Sequence, residues 1–387
     1  MQAVPVVLTS RTASISRSLP QVALPAIFAA IGLIFGSWAS RIPALQAGLQ
    51  ISHSSLSFVL LCGGLGGLLS YPVATRAMAR FGGRNTMLIG ALALTAVLPA
   101  IGLAPTMSAL MLAVLMLGVT AGVYGVGVNS VASRFEKSTG KSQMSMLHAW
   151  GCSGSLAGAL LGGAMGGMNI APSLHFMGVA MPMAVLFWIC YQFLDADEAG
   201  EKIEKKKFSL PSGPLLMLGV LGFCMAMSEN SIADWSGVFL KSHFGVSEGF
   251  APMALSAFTV MMLISRIFGD KLKEKYGASR LIACGAGLSS AGLFLAVSAP
   301  NAYIALFGFA CSGLGLALVI PFVFSAAGKE GPLAVAAVAT MCNIGSLMGP
   351  PLIGTLADTM GMQAAMGFIG LLSIVITFVG ARSSLLK

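Results

Sequence analysis

From Pro20 to Arg382 the chain passes through one apolar stretch after another, each about 20 residues long and nearly free of charge. A helix of that length crosses the ~30 Å hydrocarbon layer of a membrane. Twelve such stretches can be counted. Backbone polar groups placed in lipid must be satisfied internally, so the expectation is an all-α membrane protein with twelve transmembrane helices. Composition points the same way: 56% of residues are hydrophobic, 9% are charged, and 48 of 387 are Gly, a residue more frequent in membrane helices than in soluble ones.

One segment breaks the pattern. In Asp195–Pro211, DADEAGEKIEKKKFSLP, nine of seventeen residues are Asp, Glu or Lys, so this run belongs in water. It divides the chain into an N-terminal six-helix bundle (1–194), a charged linker (195–211) and a C-terminal six-helix bundle (212–387). The two sides are one design written twice. Gly82 in ARFGGR recurs as Gly277 in EKYGASR (277 − 82 = 195), and the same offset carries Gly118 to Gly313, His148 to Asn343 and Gly154 to Gly349. A fixed spacing across separated landmarks reads as internal duplication and predicts two pseudo-symmetric bundles.

Charge placement gives an orientation. With the N-terminus in the cytoplasm, 20 of the 22 Lys and Arg fall at inward-facing ends or loops, and only Arg41 and Lys241 face out. The positive-inside rule then puts both termini in the cytoplasm. The net charge of +9 is spread over inner loops beside anionic lipid and implies no nucleic-acid partner. All seven Cys lie inside apolar runs, so no disulfide framework is expected. The sequence carries no phosphate-binding Gly-Lys-Ser/Thr loop, zinc-type Cys/His cluster or nucleophile elbow, which argues against an enzyme, an ATP-driven pump or a bound cofactor. Residues 1–19 read as a polar, basic region ahead of a retained first helix at about 20–42.

A charge near the bilayer centre costs at least ~2.5 kcal/mol on the insertion scale, so each ionisable residue inside a span calls for a reason. Glu229 lies about fifteen residues past Pro214 in helix 7 (about 213–238), or ~22 Å at 1.5 Å per residue. It is read as the proton-coupling group, because a carboxyl group withdrawn from water holds its proton more tightly; structural pairing is the alternative. Asn230 and Asp234 share a face by their four-residue spacing, and Trp235 follows. Arg41 and Trp38 end helix 1, and a pair between Arg41 and Asp234 or Glu229 is expected as an outer gate.

Tyr124 and Asn129 are the notable polar residues of helix 4 (about 107–133), read either as interhelical hydrogen-bonding groups or as cargo contacts. In helix 5 Met144, His148 and Cys152 recur every four residues on one face. His148 stays open to three readings: structural hydrogen bonding, contact with substrate or proton, or a soft-metal site with Met144 and Cys152, the donors that Cu(I) selects. Asn343 lies opposite His148 by the repeat. Helix 10 (about 302–327) is expected to break at Pro321, helix 11 (about 333–357) to kink at Pro350 and Pro351, and Asp358 to be a solvated helix end.

Two basic turns carry a resemblance. The first, ATRAMARFGGR, holds Arg76, Arg80, Gly82 and Arg84 between helix 2 (about 54–79) and helix 3 (about 85–104). The second, GDKLKEKYGASR, holds Asp270, Lys271, Glu274, Lys275 and Gly277 after helix 8 (about 250–270). They resemble the loop between the second and third helices of the major facilitator superfamily and its echo between helices 8 and 9. Ala79 stands where that motif carries Asp, which implies a weaker inner lock in the first half. FGSWASRIPALQ, the VNS at Asn129, MSMLHAWG, SENSIADWSGVFL and GPPLIG resemble a bacterial branch akin to fucose permease, the YbjJ-type membrane proteins; Gly125 replaces an Asp common in that branch.

The resemblance implies a monomeric secondary transporter of the bacterial cytoplasmic membrane. Its expected cargo is a small polar solute, a sugar, polyol or sugar-like acid, taken up by a proton-driven symporter through alternating access. Ser155, where an antiporter motif usually has Pro, leans away from drug efflux. A metabolite or drug exporter, a copper carrier and a non-transporting membrane receptor are the other readings of the same residues.

Overall fold

The computed structural model describes residues 9–140, 143–195 and 212–386. The linker predicted for 195–211 lies outside the described residues apart from Asp195, as do the side chains of 1–19 and of Asp270. The helices are α1 (Thr9–Leu49), α2 (His53–Gly102), α3 (Met107–Thr139), α4 (Met144–Gly167), α5 (Pro172–Gln192) and α6 (Pro214–Phe244), followed by α7 (Met253–Tyr276), α8 (Ala278–Val297), α9 (Ala302–Leu316), α10 (Val319–Lys329), α11 (Pro332–Met360) and α12 (Met362–Arg382).

Among the described residues nine helical segments are long and apolar enough to cross a membrane, α9 and α10 together counting as one. At 50 residues, α2 would measure ~75 Å, more than two hydrocarbon layers, and it is two crossings joined end to end. With α4 and the shorter apolar α7, the count reaches the expected twelve.

Two glycines make the reversals. Gly82 (φ 75°, ψ 173°) interrupts α2, and Gly277 (φ 80°, ψ 153°) separates α7 from α8. A side chain at such a φ would collide with its own backbone, which explains why the duplication keeps Gly at both places. The repeat extends to features the sequence did not advertise. Thr106 caps α3 by accepting from Ala109 N, and Asn301 caps α9 by accepting from Ile304 N. A methyl on Gly118 would lie 2.0 Å from the Gly63 carbonyl oxygen, and one on Gly313 would lie 2.0 Å from that of Phe258. In each case both partners shift by the same 195 residues.

Several helix ends differ from expectation. α3 and α6 run on past their first charges to Gly140 (φ 66°) and Gly245 (φ 64°), which end them in left-handed conformation. Charges beyond the hydrocarbon are solvated and do not stop a helix; a left-handed glycine does. The break in the tenth span falls at Ala317–Leu318 rather than at Pro321 itself. Pro321 has no N–H to give the carbonyl four residues earlier, and the Ala317 oxygen instead accepts from Arg266 Nε at 3.4 Å. α11 continues past Pro350 and Pro351 to Met360.

The connections after α1, α2, α4, α6, α8 and α11 gather at one end of the molecule, the Arg41 end. Gly82 and the connections after α3, α7 and α10 gather at the other, the linker end. α1 packs on α4 and α5, and α2 on α3 and α5; α6 packs on α11 and α12, α8 on α9 and α12, and α7 on α9. The halves of the chain meet along three lines, α2 with α11, α4 with α7 and α1 with α6.

The packing is closest where glycine faces backbone. A methyl on Gly154 of α4 would stand 1.9 Å from the Ala29 oxygen of α1, and one on Gly36 of α1 would stand 2.0 Å from the Ser155 oxygen. Gly154→Ala must therefore push two helices apart, with an expected loss near the upper end of the ~1–3 kcal/mol typical of overpacking. Gly178→Ala meets nothing within 4 Å and should stay within ~0.5 kcal/mol. Melting temperatures of the two purified variants in detergent check the contrast.

Candidate functional site

Where the halves face each other they leave a cavity of about 490 Å³, walled by α1, α2, α3 and α4 on one side and α6, α7 and α11 on the other. Most of its wall is apolar, including Phe35, Leu60, Val114 and Leu347. Trp38, Ser155, Asn230, Asp234 and Ser346 supply the polar atoms. Asn230 and Asp234 enter together because they are one helical turn apart on α6. The Asn230 amide donates to Ser346 Oγ at 2.8 Å and to the Ala226 carbonyl at 2.8 Å, which fixes α6 against α11. Asp234 has no ion pair or hydrogen-bond partner among the described residues.

Glu229, one residue before Asn230, points elsewhere. Its Oε1 lies 3.8 Å from Arg266 Nη2 of α7, at the outer limit of an ion pair. Arg266 is shared three ways: toward Glu229, to the Ala317 carbonyl, and from Nη1 to Cys152 Sγ of α4 at 2.9 Å. That last bond joins the two halves. The predicted face of Met144, His148 and Cys152 forms on α4, with the His148 ring edge-on to Phe28 at 5.3 Å. Among the described residues no group of three or more His, Cys, Asp or Glu is arranged to hold a metal, and a guanidinium on the Cys152 sulfur opposes a second cation there.

The Arg41 end is closed by polar contacts. Arg41 is 1% exposed. Rather than pairing with Asp234 or Glu229, it meets Glu248 at 3.7 Å in the connection between α6 and α7. It also donates to the carbonyls of Ile170 at 2.6 Å and Gly162 at 3.4 Å. Three acceptors on that side outweigh a lone carboxylate on the other. Lys241 reaches the same Glu248 at 3.1 Å.

Asp358, expected as a solvated end, is exposed in the last turn of α11, and it also accepts from His53 N at 3.1 Å and Ser54 N at 2.8 Å. A carboxylate from one half thus covers the first free N–H groups of a helix in the other, where the helix dipole favours negative charge. Sequence held a signal for this: Asp358 sits in the last turn of α11, where its own helix repels it, so it needed an outside partner. Glu248 and Ser346 gave no comparable sign.

The remaining predicted residues scatter. Trp235 is wholly buried, edge-on to His53 at 6.1 Å, and does not line the cavity. The Tyr124 hydroxyl donates to the Ile27 carbonyl at 3.2 Å, tying α3 to α1. Asn129 bonds its own helix at Gly125, and Asn343 is exposed on α11. In the basic turns, Arg84 donates twice to the Tyr191 carbonyl and lies over the Tyr191 ring at 4.0 Å. Arg80 lies over Phe81 and Lys275 over Tyr276, while Lys273 bonds Ser325 and faces Phe322. These contacts stay within one half each.

Comparison with known proteins matches the chain to the family described as Major Facilitator Superfamily over residues 8–327 and 218–383. An uncharacterized MFS-type transporter of Yersinia pestis is 30% identical over 360 residues, covering 92% of this chain and 94% of that one. Among solved structures, the nucleoside transporter NupG superposes with a TM-score of 0.76 at 11% identity, over 94% of this chain and 100% of that one. The fucose:proton symporter FucP of E. coli gives 0.62 at 14%, over 95% and 99%. At such identities the structural likeness speaks to the fold alone.

Removing the Asp358 carboxylate should loosen the Arg41 end. A capping interaction is worth ~1 kcal/mol, about a fivefold change in a two-state ratio. Spin labels on exposed Gln50 and Met360 should therefore report about five times more of the separated population in Asp358→Ala. An unchanged distance distribution would mean that the closure rests on other contacts.

Proposed function

The chain belongs to the Major Facilitator Superfamily, a family of multi-pass membrane transporters, and we propose that it takes up a small polar solute together with protons. The bodies that move are residues 1–194 and 212–387, rocking about the cavity between them. The excess of Lys and Arg toward the linker end supports a cytoplasmic position for that end and for both termini. The Arg41 end then faces outward. Bacterial relatives support the cytoplasmic membrane as its home, and the site is complete within one chain, which supports a monomer.

The observation that carries the reading is the reach of Arg266 across the seam. It divides itself between Glu229 in its own half and Cys152 in the other. While Glu229 is ionised, it competes for the guanidinium; once protonated, it releases it. The proton gradient then acts on the seam itself, through a group beside the cavity and not through a bound cofactor. In the cavity, the indole of Trp38 and the Asn230 amide suit a hydroxylated ring, in keeping with a sugar or polyol. A sugar-like acid fits less well, because Asp234 would repel it.

Glu229→Gln keeps the shape of the side chain and removes its titration. Expected in proteoliposomes is at least a tenfold loss of pH-gradient-driven accumulation, with solute counterflow still measurable. Accumulation at the level of the unaltered protein would take Glu229 out of the coupling step.

A further inference from the structure

The charges around the cavity do not balance. Arg41 is engaged by Glu248 and two carbonyls, and Arg266 by Glu229, the Ala317 carbonyl and Cys152. Neither of them lines the 490 Å³ cavity; Asp234 does, and it is the cavity wall's only ionisable group among the described residues. Its neighbours in that wall are apolar side chains, the aromatic Phe35 and Trp38, and neutral hydrogen-bonding groups. A carboxylate in such surroundings is costly unless a positive charge joins it.

Among the described residues no such charge lines the wall, so Asp234 either holds a proton and is neutral or, when ionised, calls for a solute that brings the positive charge. Resting on the transport reading above, we infer that the cargo carries a protonated amine that docks on Asp234. The rest of the wall fits the rest of such a molecule. Trp38 and Phe35 put aromatic rings in the same wall, the kind of group that attracts an ammonium and its adjoining carbons. Asn230 is fixed by the bonds its Nδ2 donates to Ser346 and Ala226, and its amide oxygen, which accepts from none of the described residues, is able to take a donor from the solute. An acidic solute would meet an uncompensated negative charge, and a neutral one would leave the carboxylate unmatched. Specificity for charge here comes from what the wall lacks as much as from what it holds.

The test uses shape-matched trios that differ in charge: cyclohexylamine, cyclohexanol and cyclohexanecarboxylate, and glucosamine, glucose and glucuronate. Binding to the full-length protein in detergent is read by calorimetry and by thermal shift. The amine of at least one trio should bind tenfold or more tightly than its neutral and acidic mates. In Asp234→Asn that preference should vanish, and in Asp234→Glu it should persist in weakened form; the melting temperature of each variant without ligand reports folding. If the neutral or acidic members bind as well as the amine, or if Asp234→Asn keeps the preference, the assignment is wrong. The comparison among ligands needs only the unaltered protein, so a variant that fails to fold does not shield the idea. Amine binding without flux into vesicles would overturn the transport reading and leave the site standing. Flux of glucose with no preference for glucosamine would do the reverse.

Discussion

A single charge buried in hydrocarbon costs several kcal/mol, and the arrangement of this protein follows from how each one is matched. Arg41 is matched by Glu248 across the seam and Glu229 by Arg266, while at the exposed end of α11 Asp358 is matched by the open N–H groups at the start of α2. Two of these matches join one half of the chain to the other, and the third feeds an arginine that does so through Cys152. Charge neutralisation and contact between the halves are therefore largely the same set of bonds. Asp234 is the exception, and it lines the 490 Å³ cavity between the halves.

The duplication sharpens this. Where the two copies agree, the shared feature is structural: the glycine reversals at Gly82 and Gly277, the caps at Thr106 and Asn301, the close approaches at Gly118 and Gly313. Where they disagree, the charges of the site appear. An offset of 195 sets Glu229 against Ile34, Asp234 against Ala39, Arg266 against Tyr71 and Asp358 against Gly163, while Arg41 faces Ser236. None of the five site charges has a charged counterpart. The scaffold is symmetric because packing requires it, and the site is asymmetric because a cavity lined by two copies of the same charge would repel itself.

This explains what could be read from the sequence. Twelve crossings, the repeat, the reversals and the shared faces of Asn230 with Asp234 and of His148 with Cys152 all depend on spacing along one helix, which a sequence carries directly. The partner of Arg41 does not. Spacing fixes the face a side chain occupies but not the rotation of that helix against a distant one, so Glu248 could not be chosen over Asp234. The same gap hid the partners of Asp358, whose N–H donors lie about 300 residues away along the chain. Trp235 shows the converse: its position next to Asp234 in sequence turns it about 100° further round α6, away from the cavity and into the protein interior.

The two kinds of contact also differ in how easily they part. Within a half, a methyl added to Gly154, Gly36 or Gly118 would fall about 2 Å from a neighbouring backbone oxygen; the helices touch along their backbones and no intermediate separation offers a second well-packed state. Across the seam the backbones stand further off, with a methyl on Gly166 at 2.8 Å from the Glu248 oxygen and one on Gly354 at 2.8 Å from that of His53. Much of what holds the seam at the Arg41 end is polar and lies at helix ends, where water can take over each bond as it breaks, with the Arg266–Cys152 bond deeper between α7 and α4. Rigid halves joined by exchangeable bonds fit the rocking proposed above. Motion confined to the seam would open the Arg41 end without loosening the walls that position Asp234.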